Sequence, residues 1–222
     1  MNNNLLLTLV ILLLLSCDKN SVTESITVKN IDELNQAISE AIPGTEIVLA
    51  NVVWKDAEID FYAIGTASQP IILRAETSGE VFIEGESFLY LGGEHLIVDG
   101  LYFRNGYSPR NSIIAFQISE DSTAFHSQVT NCVIEDFTKP SRLINDHWIE
   151  FYGKHNMLHH CYVSGKSNDG ETLRIFNTGN QHNSNYHQIV YNYLGTRPRK
   201  VRLPIRLMLI IQPFKTVKIA SS

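Results

Sequence analysis

A repeat of about 30 residues is the feature that most constrains the fold of this chain. Each repeated segment opens on a histidine and has two apolar pairs around a polar or glycine bend. The segments start 31, 29 and 32 residues apart, at His95, His126, His155 and His187. A second set of strand-like segments lies between them, at 113–116, 148–151 and 173–176. Short strands at this period predict an all-β parallel β-helix whose coils stack at about 4.8 Å.

One amphipathic helix precedes the repeat. Asn30 is a typical N-cap, and Glu33 three residues later makes a capping-box variant. Apolar residues then recur at spacings of three and four, at Ile31, Leu34, Ile38, Ala41 and Ile42. Pro43 and Gly44 follow and are expected to end the helix. We expect this short N-terminal helix to cap the first coil, whose open edge would otherwise promote aggregation.

The recurring histidines have two interpretations. They precede each strand, so a stacked ladder in the turns is the first, and a metal site is the second. Cys132 and Cys161 occupy the same repeat position, which predicts that they stack in the core of neighbouring coils as small apolar side chains. A disulfide between them is the alternative.

The N-terminus has the features of an export signal. Residues 5–15 are apolar apart from Thr8, which is too short for a membrane span of about 20 residues but fits a signal-peptide core. Leu-Leu-Ser-Cys at 14–17 resembles a bacterial lipobox and implies a lipoprotein signal peptide over 1–17, with lipid attached to Cys17. Residues 18–25 would be a tether, and the protein an exported, membrane-anchored bacterial lipoprotein. An ordinary cleaved signal is the alternative, since the first four residues carry no Lys or Arg.

The charge distribution bears on partners and on the tail. The formal net charge is −5, which argues against a nucleic-acid partner. Residues 1–199 hold 13 basic and 23 acidic residues, whereas residues 200–222 hold five basic residues and no acidic ones. This break marks 200–222 as a divergent tail. A frameshift there is one interpretation, and a native last strand or membrane-adhering segment at 201–214 is the other.

Several motifs, in this order and spacing, resemble polysaccharide lyase family 6, which contains alginate lyases and chondroitinase B. They are Pro-Gly-Thr-Glu-Ile-Val-Leu at 43–49, Val-Asp-Gly-Leu-Tyr-Phe at 98–103, His-Cys-Tyr-Val-Ser-Gly-Lys at 160–166 and Asn-Tyr-Leu-Gly-Thr-Arg-Pro at 192–198. The resemblance covers residues 26–199. It implies the N-terminal part of a right-handed parallel β-helix that cleaves a uronate polysaccharide, of alginate or chondroitin type, by β-elimination.

The family's catalytic parts do not map onto this sequence. In the family a Lys base, an assisting Arg and a Ca²⁺ held by Asn and Glu follow the Arg-Pro motif, whereas this chain has no acidic residue after Glu171. We therefore expect a lyase truncated before its catalytic centre and inactive, with no assigned catalytic residue, metal ligand or cofactor. A non-catalytic, surface carbohydrate-binding lipoprotein is the alternative function.

Substrate binding is predicted at a small basic group. Lys166 and Arg174 lie one strand apart, with His160 nearby in sequence, so they could bind the carboxylates of an acidic polysaccharide. Solvated turn charges are the alternative. Trp148 and Tyr152 could stack on sugars or pack within the protein. A hydrolase of the polygalacturonase kind needs clustered Asp side chains, which the lone Asp146 and Asp169 do not supply.

Overall fold

The structure, a computed structural model, describes residues 25–176, 185–195 and 219–220. Within these residues it contains one helix, α1 (Ile31–Glu40), and 21 strands. The strands are β1 (Ser25–Val28), β2 (Glu46–Leu49), β3 (Val53–Lys55), β4 (Glu58–Ile64), β5 (Ile71–Ala75), β6 (Val81–Glu86), β7 (Phe88–Glu94), β8 (Leu96–Asp99), β9 (Leu101–Tyr107), β10 (Ser112–Ala115), β11 (Gln117–Ser119), β12 (Ser122–Phe125), β13 (Gln128–Thr130), β14 (Val133–Glu135), β15 (His147–Phe151), β16 (Met157–His159), β17 (Tyr162–Ser164), β18 (Leu173–Ile175), β19 (Gln188–Val190), β20 (Tyr193–Leu194) and β21 (Ile219–Ala220).

Three sheets, parallel except for one hairpin, form the walls of a solenoid. Sheet A has the order β1-β2-β5-β8-β13-β16-β19-β21, and sheet B has the order β20-β17-β14-β9-β6-β3. Sheet C contains β4, β7, β10, β15 and β18, with β12 also pairing to β7. The chain visits A, B and C in turn and makes about five coils. The predicted all-β parallel β-helix with an N-terminal helix is therefore confirmed.

The core fills the space between the three sheets. Strand β4 alternates exposed and buried residues, as expected when one face of a sheet points inward. One contiguous apolar cluster runs from Val28 to Ile189, and the rings of Phe116 and Phe151 stack within it at 4.6 Å. Because each inward side chain rests on its equivalent in the next coil, the core is continuous along the solenoid axis.

The corner between sheets C and A is held by side chains that accept backbone hydrogen bonds. The N–H of Leu96 donates to Ser127 Oγ (3.2 Å), and the N–H of Ser127 donates to Asn156 Oδ1 (2.9 Å). The N–H of Asn156 then donates to His187 Nδ1 (3.2 Å). A buried N–H without an acceptor costs about 1–3 kcal/mol, so each of these side chains stabilises the coil before it.

The N-terminal helix matches its predicted cap, with one change to its apolar face. Asn30 Oδ1 accepts from the N–H of Glu33 at 2.9 Å, and the Glu33 carboxylate accepts from the N–H of Lys29 at 2.8 Å. Leu34 and Ile38 are buried as expected. Ile42 is 61% exposed instead, because the helix ends at Glu40 and the chain turns away.

The histidine ladder is confirmed for three members and corrected for the fourth. The rings of His95 and His126 lie 5.0 Å apart, and those of His126 and His155 lie 4.6 Å apart. The next ring in the stack is Tyr186, 5.0 Å from His155, and not His187. His187 lies one residue later, faces inward against Phe151, and is buried. That burial lowers its pKa to about 4, so the ring is neutral at pH 7.

The two cysteines lie where the repeat placed them. Cys132 and Cys161 are both buried and both free, so the predicted core role is confirmed and the alternative disulfide is absent. Cys161 Sγ donates to the carbonyl oxygen of His159 at 3.3 Å.

The export signal with Cys17, and the tail 200–222 apart from β21, lie outside the described residues. Strand β1 begins at Ser25, the last residue of the predicted tether. In the described part of the chain, α1 falls short of the length and apolarity needed to cross a membrane.

Gly93 provides a test of how closely the coils stack. Its φ is +104°, and a Cβ added there would overlap the backbone carbonyl oxygen of Ala63 in the preceding coil. Gly79 also has a positive φ, +81°, but a Cβ there meets nothing within 4 Å. We expect Gly79→Ala to lower the free energy of unfolding by about 1–2 kcal/mol. Gly93→Ala should lower it by roughly a further 1–3 kcal/mol, measured by urea denaturation. Equal losses would show that the coils are not in close contact at this point.

Candidate functional site

The outer face of sheet C carries one row of functional side chains. Register places Ala115 beside Tyr90 and Glu150 beside Ala115, and then Arg174 beside Glu150. Because strands alternate their side chains, all four point to the same face, which is opposite the core. The row therefore brings together residues that are up to 84 positions apart in sequence (90 to 174).

A groove opens over Tyr90, Ala115 and Glu150 of this row. The antiparallel hairpin of β11 and β12 borders it, and its volume is about 470 Å³. Aromatic, basic, amide and acidic side chains all contribute to its wall. The lining residues are Tyr90, Arg110, Asn111, Ala115, Gln117, Ile118, Ser119, Glu120, Glu150 and Tyr152.

Glu150 is the most deeply placed carboxyl group of the groove. It is 7% exposed, and Tyr152 donates to its Oε2 atom at 3.4 Å. Burial raises the pKa of Glu150, although hydrogen bonds from Ser112 and Tyr152 and the charge of Arg174 oppose the shift. Burial also raises the pKa of Tyr152, which therefore keeps its phenolic proton. Burial thus disfavours the charged form of both groups in this part of the groove.

Arg174 lies at the end of the row, held between a ring and an imidazole. Its Nη1 atom donates to His147 Nε2 at 2.8 Å, and its guanidinium carbon lies 4.4 Å from the centre of the Phe176 ring. The Phe176 ring in turn stacks on Tyr152 at 4.5 Å. Arg174 as a whole is half-buried. A planar cation fixed in this way suits a carboxylate ligand.

Lys166 lies elsewhere, in a buried network. Its ammonium group forms an ion pair with Asp146 and donates to Asn168 Oδ1 at 2.9 Å and to the Asp169 carbonyl at 3.0 Å. Only 3% of Lys166 is exposed. Asn168 Nδ2 also donates to the Ile144 carbonyl at 2.8 Å, so the network fixes the loop that leads into β15. In this geometry Lys166 stabilises the loop before β15. The substrate-binding role assigned to it from the sequence stays a prediction.

His160 is not brought to Arg174. It lies at the corner between sheets A and B with a φ of +54°, where its ring stacks on Tyr191 at 5.3 Å. Its Nδ1 atom is 2.8 Å from Nδ1 of His159. Arg174 is on sheet C, so the three residues predicted from sequence do not form one site. Binding by His160 likewise stays a prediction.

The two aromatic residues considered for sugar stacking, Trp148 and Tyr152, lie in different environments. Trp148 is fully buried, so of its two interpretations the core one is correct. Tyr152 lines the groove and stacks on Phe176. The sequence-based analysis missed His147, Glu150, Tyr90 and Arg110 as part of this region. A signal for two of them exists in His-Trp-Ile-Glu-Phe, where His147 and Glu150 interrupt an otherwise apolar strand.

The calcium ion that the resemblance implies is a cation that carboxylate and carbonyl oxygens bind. Across 25–176 and 185–195, His, Cys, Asp and Glu side chains do not gather in any group of three or more that could hold a metal ion. The acidic groups beside Arg174 contact the His147 imidazole and the Tyr152 hydroxyl instead. No part of the chemistry below therefore depends on a metal held by these residues.

Comparisons with known proteins agree with the fold. A family model described as chondroitinase B matches residues 28–203. The PL6 family alginate lyase AlyGC matches at a TM-score of 0.77 and 43% identity, over 78% of this chain and 24% of that one. A mannuronic acid specific family 6 lyase from human gut microbiota matches at 0.73 and 27% identity, over 79% and 41%. A PL6 family polysaccharide lyase from Pseudopedobacter saltans matches at 0.66 and 26% identity, over 77% and 46%.

A search of curated proteins gave no match. The chain spans between about a quarter and about half the length of the three solved lyases. The family model covers most of the sequence, and the solved structures match the solenoid fold of this chain. The chain therefore belongs to the chondroitinase B family, within polysaccharide lyase family 6.

Proposed function

We propose that this chain binds a uronate polysaccharide, of alginate or chondroitin type, along the outer face of sheet C, as the N-terminal coils of a β-eliminating lyase. The observation that carries the proposal is Arg174, which His147 and Phe176 hold beside Glu150, a residue that lines the open groove. The relatives supply the ligand class, because AlyGC is an alginate lyase and the gut enzyme is mannuronic acid specific.

Each uronate carries a carboxylate, and β-elimination depends on that group. A base removes the C5 proton only when the adjacent carboxylate is neutralised, and the C4 oxygen then leaves. In this chain Arg174 is the group placed to bind such a carboxylate by paired N–H donors. The hydroxyl of Tyr152 and the carboxyl group of Glu150, whose pKa burial raises, can form hydrogen bonds with sugar hydroxyls beside it.

Cleavage is not proposed for the chain by itself. The Lys, the Arg and the calcium-binding Glu residues that the family resemblance implies have no counterpart in this sequence. We propose that these coils hold the polymer. For its location we propose export and attachment to a membrane through a lipid on Cys17, which rests on the apolar run and Leu-Leu-Ser-Cys at 14–17.

Replacing Arg174 should weaken polysaccharide binding. We expect Arg174→Ala to reduce affinity for alginate or chondroitin about tenfold, the order of one charge-assisted contact. Affinity electrophoresis in gels that contain the polymer measures this at moderate ionic strength, where long-range attraction is screened.

The matched control for Arg174 is Arg104. That side chain covers an aromatic ring as Arg174 does, here Phe82, but it pairs with a carboxylate, Glu84 at 2.8 Å, and lies on sheet B. Arg104→Ala should leave the affinity unchanged. Equal losses in the two variants would mean that binding follows net charge and not the groove.

The full chain should not produce unsaturated sugars. Because the implied catalytic residues are not matched in it, incubation with alginate, polymannuronate or chondroitin should leave the absorbance near 235 nm flat. A family 6 lyase with its complete catalytic centre serves as the positive control on the same substrates. A steady rise with this chain, lost in a heat-treated sample, would refute the proposed division between binding and cleavage.

Lipid attachment should depend on one thiol. In a bacterial host fed an alkyne-tagged fatty acid, we expect the wild-type chain to become labelled and to fractionate with membranes. Cys17→Ala should remove both properties, whereas Cys132→Ala, at a buried core position, should not. Labelling that survives Cys17→Ala would reject the lipoprotein assignment.

A further inference from the structure

Three side chains from two coils form a chain of contacts that ends at Arg174, beside Glu150 of the groove. His147 begins β15, Glu171 precedes β18, and Arg174 is in β18. His147 Nε2 is 2.8 Å from Arg174 Nη1, and His147 Nδ1 is 2.7 Å from Glu171 Oε2. The His147 side chain is 9% exposed, so its imidazole lies between a cation and an anion with little access to water.

The chemistry of arginine determines which imidazole nitrogen carries the proton. A guanidinium has donors and no acceptor, so His147 Nε2 must offer its lone pair to Arg174. The proton of a neutral ring then lies on Nδ1. No partner of Nδ1 meets strict hydrogen-bond geometry, yet Glu171 Oε2 is 2.7 Å away. A contact this short with a carboxylate is attractive only if Nδ1 is the protonated nitrogen.

The surroundings of His147 favour the neutral ring. Burial, together with the charges of Arg174 and Lys166, lowers its pKa, although Glu171 and Asp146 act in the opposite direction. Glu150 Oε1 also faces the ring, 3.9 Å from Nε2. Protonation of Nε2 would remove the acceptor for Arg174 and place two cations in contact.

We propose that His147 is the positioning residue for Arg174: the Glu171 carboxylate fixes the imidazole with its proton on Nδ1, and the imidazole aims the guanidinium at a uronate carboxylate. The inference rests on the proposed function, because the ligand is the same polysaccharide. Arg174 is held from two sides, by His147 and by Phe176, so less side-chain freedom is lost when the polymer binds.

A double-mutant cycle on affinity for alginate tests this coupling. Arg174→Ala should weaken binding about tenfold, and His147→Leu should weaken it by a comparable factor because Arg174 is no longer held. The double variant should bind no worse than Arg174→Ala alone. His147→Gln, whose amide can accept from Arg174 and donate to Glu171, should restore most of the affinity. Losses that multiply in the double variant, or a Gln variant as weak as the Leu variant, would overturn the proposal.

A second measurement separates this inference from the proposed function and from simple misfolding. Nitrogen-15 NMR of the imidazole in the full chain reports the tautomer without any ligand, and thermal denaturation of each variant shows whether it is folded. We expect the Nδ1–H form of His147 at pH 7, and an Nε2–H form would overturn the inference even if binding is normal. If the wild-type chain does not bind alginate or chondroitin, the proposed function fails. The tautomer then decides alone whether His147 holds Arg174.

Discussion

The structure depends on one constraint: each coil must satisfy the buried backbone groups of the coil beside it. Parallel pairing does this along the sheets, but the corners interrupt the pairing. There the side chains of Ser127, Asn156 and His187 accept the N–H groups of Leu96, Ser127 and Asn156. At another corner Asn192 Oδ1 does the same for the N–H of Cys161 at 2.9 Å. Because each acceptor comes from the following coil, the fold is stabilised by neighbours and not by any coil alone.

The same constraint positions the candidate site. Once the corners fix the register, the outward positions of sheet C fall in a row, and Glu150 lies directly beside Arg174. The site therefore needs no special loop to assemble it. It does need two consecutive coils, because His147 comes from one and both of its charged partners come from the next. A shift of one residue in β18 would turn Arg174 toward the core, and a shift in β15 would turn Glu150 toward it.

The parts of the fold that sequence reasoning could predict are those set by local patterns. The cap formed by Asn30 and Glu33 depends on residues three apart, and it is present as expected. The strands follow from alternation and from the period of about 30. The fourth histidine shows the limit, because the observed register advances by 31 residues from Met157 to Gln188 and not by the 32 of the histidine spacing. A one-residue difference exchanges an outward ring, Tyr186, for an inward one, His187.

The candidate site was harder to predict from the sequence than the fold, because whether a charged side chain is buried depends on a partner that is distant in sequence. Lys166 and Arg174 look alike in the sequence, as single basic residues in the same coil. Asp146, 20 residues before Lys166, draws that ammonium into the interior, where Asn168 completes its hydrogen bonds. No local sequence pattern predicts that Lys166 pairs with Asp146.

The two basic residues show how a solenoid divides its charges between structure and function. The ammonium group of Lys166 is enclosed by a carboxylate, an amide and a carbonyl, so its charge is balanced by groups of the protein itself. Arg174 has a neutral imidazole and an aromatic ring as its nearest supports, neither of which cancels its charge. Glu171 is separated from it by the imidazole, and Glu150, the carboxyl closest in register, has a raised pKa. The cation that keeps its charge available to a ligand is therefore the one held by uncharged groups.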